Sequence, residues 1–172
     1  MLDSFAANGL NELVVFSQHL DPPHVLAWEE ACRQAAHNTR ARAIEGYEVL
    51  VVDDLRSGAL RKLFGASGEG DSHAGIFETS IMLAVRAGLV DMERAASLLR
   101  MPIDFDRRLR AAHDFRELGN GLGYAGSPGA ASAAIGRALI RPYARVFGDL
   151  VLEHLGGGDV SDRLSAARRF GA

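Results

Sequence analysis

Two short apolar runs, Leu13-Val-Val-Phe16 and Val49-Leu-Val-Val52, constrain what this chain can fold into more than any other feature. Each is rich in β-branched residues and bounded by polar or turn residues, the pattern of a strand buried on both faces. Between them, Val25, Trp28, Cys32, Ala35 and Ala36 recur at helical spacing across residues 24–44. Asp21-Pro22-Pro23 prepares the helix start, and Gly46 is the usual kind of helix stop. A crossover of that length joins parallel strands, with a right-handed connection. The expected fold class is therefore α/β, with helices layered on a mostly parallel sheet. In such sheets, sites form outside the carboxyl ends of the strands, and His19 follows the first run closely.

Further elements follow from the same patterns. A short helix is expected within residues 4–12, ending near Gly9, and another within 54–64. A glycine-rich loop, Gly65-Ala-Ser-Gly-Glu-Gly70, leads to a helix from about Ala74 to Arg86, with Asp71 or Ser72 as its cap and a buried run Ile81 to Val85. Residues 91–100 read as a short helix closed by Pro102, and 102–118 as irregular. A second glycine-rich loop spans Gly119 to Gly129. The last helix, about 129–155, carries Ile135, Leu139, Tyr143, Val146 and Leu150 on one stripe, with Pro142 expected to kink or split it. The expectation is one domain over 1–157 and a flexible polar tail over 158–172.

Composition excludes several classes. A length of 172 residues suits one domain, and 48% hydrophobic content is ample for a core. The net charge of −3 offers no basic excess for phosphates, which argues against nucleic acid as a partner. No apolar run reaches the ~20 residues of a membrane span, and the N-terminus lacks the basic-then-apolar pattern of a secretory signal. The single cysteine, Cys32, excludes an internal disulfide and fits a reducing cytoplasm. On a helix among alanines it reads as a small core residue.

The chemistry concentrates in Asp71-Ser-His-Ala-Gly-Ile-Phe-Glu-Thr-Ser80. His73 and Glu78 sit at a loop-to-helix junction, where they suit a metal or proton transfer; the blander alternative is a capping region with two exposed polar residues. Small Ala74 and Gly75 permit close approach to the backbone, and Asp71 is near enough to orient an imidazole. Elsewhere, Gly121-Leu-Gly-Tyr-Ala-Gly126 fits G-x-G-x-x-G but follows no apolar strand and lacks the acidic partner about twenty positions on, so it reads as a flexible loop. Asp53-Asp54 reads as a strand-end cap, and His113-Asp114 as solvated.

The pattern Asp-x-His-Ala-Gly-x-x-Glu-Thr-Ser, followed by an apolar helix, resembles the signature of the creatininase family of metal-dependent amidohydrolases. Gly123-Tyr-Ala-Gly-Ser-Pro-Gly-Ala-Ala-Ser-Ala-Ala-Ile-Gly136 is similar to that family's Gly-Val-x-Gly-Asp-Pro-x-x-Ala segment. Residues 8–31 resemble its strand and Asn-Gly-His-Gly-Gly-Asn loop. The resemblance covers about residues 1–155. It implies a three-layer α/β/α domain and hydrolysis of a C–N bond in a small amide, cyclic amide or formamide. It also implies divalent metal, whether zinc, manganese or iron. By resemblance His73 matches the acid–base histidine, and His19 and Glu78 match metal ligands.

The chain also departs from the family pattern. Around His19 it reads Ser17-Gln-His-Leu-Asp-Pro-Pro-His24, keeping only the histidine of the family loop. Asp21 and His24 are candidate substitute ligands; the blander reading is a helix start and a surface histidine. The family's Glu-x-His-Gly segment has no counterpart before Leu13, so the chain resembles the C-terminal portion of the domain. The remaining ligands are then expected from a partner chain or an upstream segment, and an open sheet edge from self-association or a complementary subunit. The alternative is a non-catalytic subunit or scaffold of the same fold.

Overall fold

The structure is a computed structural model that describes residues 1–17, 22–46, 58–103, 117 and 121–160. The chain divides into two compact units, residues 1–57 with 144–172, and residues 58–143.

The first unit is built on the expected parallel crossover. Helix α1 (Leu2–Ala7) precedes strand β1 (Glu12–Val15), helix α2 (Pro22–Asn38) and strand β2 (Arg42–Glu45). The strands pair in parallel, Glu12 opposite Arg42 through Val15 opposite Glu45. The second strand thus lies where the sequence extended the helix; residues 49–52, read as that strand, are outside the described residues. Thr39 accounts for the difference. Its Oγ1 donates back to the Ala35 carbonyl at 2.6 Å and accepts the Ala41 N–H at 3.0 Å, so it turns the chain out of the helix. Gly46 is accordingly not a helix stop. It follows β2, where a Cβ would lie 2.8 Å from Leu150 Cδ2 and against the Phe16 ring.

Leu2, Leu13, Cys32, Ala35 and Ala41 form one core cluster, and Leu150 and Val160 pack with Ile44 and Val146 in another. Buried Val160 carries packed chain past Gly156–Gly158, where the sequence reading ended the domain; residues 161–172 are outside the described residues. His154, 2% exposed, has Nε2 3.0 Å from Glu12 Oε2 and 3.1 Å from the Arg42 carbonyl. Both partners accept, so this nitrogen carries a proton and ties β1 to β2.

Cys32 is a core residue, as its alanine-rich surroundings suggest. Desolvation pushes its thiol up to about 11, and the charges of Glu45 and Glu29 add to the rise. Because the thiolate is the reactive form, Cys32 is expected to resist a disulfide reagent at pH 8 in the native protein and to react fully once denatured. Thiol titration with and without denaturant checks this, and fast native labelling would contradict it.

In the second unit, helix α3 (Ala59–Phe64) leads through a 3-10 turn to helix α4 (Ile76–Arg86), then α5 (Met92–Ser97), capped by Asp91, whose Oδ1 accepts the Arg94 N–H at 2.9 Å. Helix α4 buries Ile76 and Ser80, while Met82 and Val85 are exposed, so the run read as buried shows only part of itself to the interior. Helix α6 (Ala133–Leu155) opens at Ser132, whose Oγ accepts the Ile135 N–H at 3.2 Å. It continues through Pro142 as one helical run rather than splitting, and supplies residues to both units. No described helix is long and apolar enough to cross a membrane. The described residues hold one two-stranded parallel sheet, compatible with α/β.

Candidate functional site

His73 is fixed by its backbone. It forms an antiparallel bridge with Ala125, the His73 N–H donating to the Ala125 carbonyl at 3.0 Å and the Ala125 N–H to the His73 carbonyl at 2.8 Å. The Ser72 N–H also donates to the Ala125 carbonyl, at 2.9 Å. The stretch read from sequence as a flexible loop is therefore ordered where it meets the histidine: Tyr124, Ala125, Gly126, Ser127 and Pro128 are all buried. The Tyr124 hydroxyl donates to the Leu99 carbonyl at 2.7 Å, and the Met101 N–H to the Gly126 carbonyl at 2.8 Å, which anchors the segment from its other side.

Asp71 closes the arrangement. Its Oδ1 accepts the Ile76 N–H at 2.7 Å and the Ser127 N–H at 3.0 Å, while Oδ2 accepts the Phe77 N–H at 3.2 Å. The expected cap of the helix is thus real but reaches from five residues upstream, since α4 begins at Ile76 and not near Ala74. A carboxylate there also complements the positive end of the helix dipole. Both oxygens serve backbone amides, so Asp71 fixes the chain path on either side of the His73 segment. Gly75 and Gly126 are required on either side, because a Cβ at either position would run into the Asp71 carboxylate.

Between His73 and the helix, Ala74 has φ +48°, the one positive value at a non-glycine among the described residues. This left-handed conformation costs an alanine about 1 kcal/mol or more, and such strain clusters at functional sites. Half-buried His73 therefore sits between a fixed bridge and a strained turn. Glu78 follows in the first turn of α4, exposed.

The site residues read from sequence fare differently. His73 and Glu78 lie on one short segment of the second unit. His19 and Asp21 lie outside the described residues, as do Asp53, Asp54, His113 and Asp114. His24 is half-buried rather than a surface group. Its Nε2 is 2.8 Å from Ser17 Oγ and 3.0 Å from Trp28 Nε1. The indole only donates, so this nitrogen is an acceptor already engaged, which argues against His24 as a metal ligand through that atom. Sequence reasoning found Asp71 as a cap but missed its reach to Ser127; the signal for that clasp was the small residues Gly75 and Gly126.

A protein-family model described as Creatininase: Creatinine amidohydrolase matches residues 1–151. The chain belongs to the creatininase family. No curated protein and no solved structure matches it. Membership brings metal-dependent amidohydrolase chemistry on small amides. The creatininase motifs of this chain meet in the structure, since the Asp-x-His-Ala-Gly segment and the glycine-rich segment are the two halves of the His73–Ala125 bridge. The divalent metal of the family is a separate matter. Among the described residues no three His, Cys, Asp or Glu side chains gather, whereas a catalytic zinc takes three protein ligands. The described residues alone therefore do not make a metal centre; they present a fixed histidine and a carboxylate.

Proposed function

We propose that this chain is a creatininase-type metal-dependent amidohydrolase that cleaves a C–N bond of a small amide, cyclic amide or formamide within a layered α/β/α domain. The backbone lock on His73, beside the strained Ala74 turn in the family motif, carries this reading. His73 transfers a proton to the leaving nitrogen, a role that needs a positioned imidazole. Glu78 donates to zinc, manganese or iron, with further donors from outside the described residues, in a partner subunit or another segment. His19 enters as a donor through the family pattern alone. The protein acts in the cytoplasm as a homo-oligomer or heteromer.

The test uses purified protein loaded with zinc or manganese. His73→Ala is expected to keep its metal and helical content while losing about 100-fold or more in turnover. Glu78→Ala is expected to lose metal by elemental analysis. Unchanged metal content and turnover in Glu78→Ala would sink the reading.

A second reading, a non-catalytic member serving as subunit or scaffold, is favoured by one observation. Around His19 the chain reads Ser17-Gln-His-Leu-Asp-Pro-Pro-His24 and keeps only the histidine of the family loop. Metal-dependent turnover of a formamide or cyclic amide by the purified chain would exclude it.

A further inference from the structure

Helix α4 has two unlike faces. On one, Ile76 and Ser80 are buried, Ser80 and Ala84 stand against Gly136 of α6, and the Phe77 ring lies 5.9 Å from that of Tyr143. On the other, Met82 is 41% exposed and Val85 56%, and Leu89, in the turn that follows, is 74% exposed. Single exposed apolar residues are ordinary, but three large ones within eight residues mark an interaction surface. The charges on this face are arranged about Met82. Glu78 lies four residues before it and Arg86 four after, about one helical turn each way, so all three share a face. Both charged residues are exposed, and neither makes an ion pair among the described residues. Eight residues apart, they stand about 12 Å from each other along the axis and do not pair within one helix.

We propose that this face of α4 is a twofold dimer contact, occupied by α4 of a second copy of this chain laid antiparallel to it. With the axis through Met82, Glu78 meets the partner's Arg86, and Arg86 meets the partner's Glu78. A parallel pair would instead set like charges together. The antiparallel pair also opposes the two helix dipoles. A twofold contact needs a patch that complements itself, and an apolar centre with one acid and one base equally far on either side is such a patch. The proposal narrows the assembly given above to self-association, and the dimer itself does not rest on the amidohydrolase reading. One helix face buries less than the roughly 800 Å² per partner of a standard interface, so the dimer is weak, with a Kd on the order of 10 µM. The contact sets the partner's Arg86 beside Glu78, inside the motif. A carboxylate accepts from more than one group, so the pairing does not displace the role proposed for Glu78.

Sedimentation equilibrium of the purified full chain, without added metal, tests this. Wild type is expected to pass from monomer to dimer between about 1 and about 200 µM. Glu78→Arg and Arg86→Glu each place like charges together twice per dimer, and each should weaken association about tenfold or more. The double variant restores opposite charges in the reverse sense and should recover to within about threefold of wild type. Met82→Asp should remain monomeric throughout. Circular dichroism should show wild-type helical content in all four variants, because the altered side chains are exposed in the single chain. A wild type that stays monomeric at the highest concentration would overturn the proposal, and would leave the face to a different subunit. So would a dimer that is indifferent to Met82→Asp, or a double variant no better than the single ones. The metal content of Glu78→Ala tests the amidohydrolase reading separately, and either result can fail while the other stands.

Discussion

Asp71→Ala should lower stability by about 3 kcal/mol or more, placing it among the most damaging single changes in the second unit. One carboxylate satisfies three backbone N–H groups, those of Ile76, Phe77 and Ser127, at 2.7–3.2 Å. Hydrogen bonds to a charged group contribute roughly 1.5–3 kcal/mol each, and an amide left unsatisfied in the interior costs about 1–3 kcal/mol. These figures do not add, since one side chain makes all three bonds. Gly75 and Gly126 lie against the carboxylate and have no side chain to fill the gap that its removal leaves. Asp71→Asn should cost about half as much, as its amide keeps one acceptor oxygen and turns an NH2 toward an N–H. Urea denaturation gives the two losses, and amide exchange at Ile76, Phe77 and Ser127 shows where they arise. A loss under about 1 kcal/mol for Asp71→Ala would mean that the clasp is not what holds the turn. Because the same clasp sets the path into and out of His73, turnover should fall with stability in both variants.

Local signals were legible in the sequence, whereas contacts between distant segments were not. The alternation of an apolar run and an amphipathic helix announced a parallel strand–helix–strand unit, and β1, α2 and β2 are that unit. The position of β2 was missed because Ala41-Arg-Ala-Ile44 continues the helical spacing, and only the two bonds made by Thr39 end the helix. The 71–80 motif was legible because its residue types are unusual together. Its structural partner was not. Glycine-rich residues 121–126 look mobile by composition, yet the last of them form the backbone bridge to His73. That bridge uses main-chain atoms, which leave no mark on residue identity. The clasp left a faint mark, in that Gly75 and Gly126 are needed where a carboxylate passes between them. Ser127 left less, because a serine before Pro128 resembles any helix cap until its hydroxyl proves to be unused among the described residues.

Gly136→Ala and Gly148→Ala, two identical substitutions on α6, should change stability in opposite directions. Glycine in a helix interior is less favourable than alanine by about 1 kcal/mol, so both changes would help if propensity decided. At Gly148 nothing lies within 4 Å of the methyl that alanine would add, and a gain of about 0.5–1 kcal/mol is expected. At Gly136 the methyl would overlap the Ser80 carbonyl oxygen and stand 2.8 Å from Ala84 Cβ. Ser80 is 0% exposed and its Oγ accepts the Ser132 N–H at 3.1 Å, at the start of the same helix. The obstacle is therefore backbone on α4, held from both sides, and not the free end of a flexible side chain. Overpacking of this kind costs about 1–3 kcal/mol and more where nothing can yield, which exceeds the propensity gain. Gly136→Ala should thus melt several degrees below wild type, and Gly136→Val should not fold its unit at all. Because α4 begins two residues after the Ala74 turn, displacing it also moves Glu78 relative to His73. Gly136→Ala should therefore lose metal-dependent turnover even at temperatures where it remains folded. A stabilised Gly136→Ala, matching Gly148→Ala, would show that α4 and α6 do not meet through this glycine, and the packing that positions the motif would have to be redrawn.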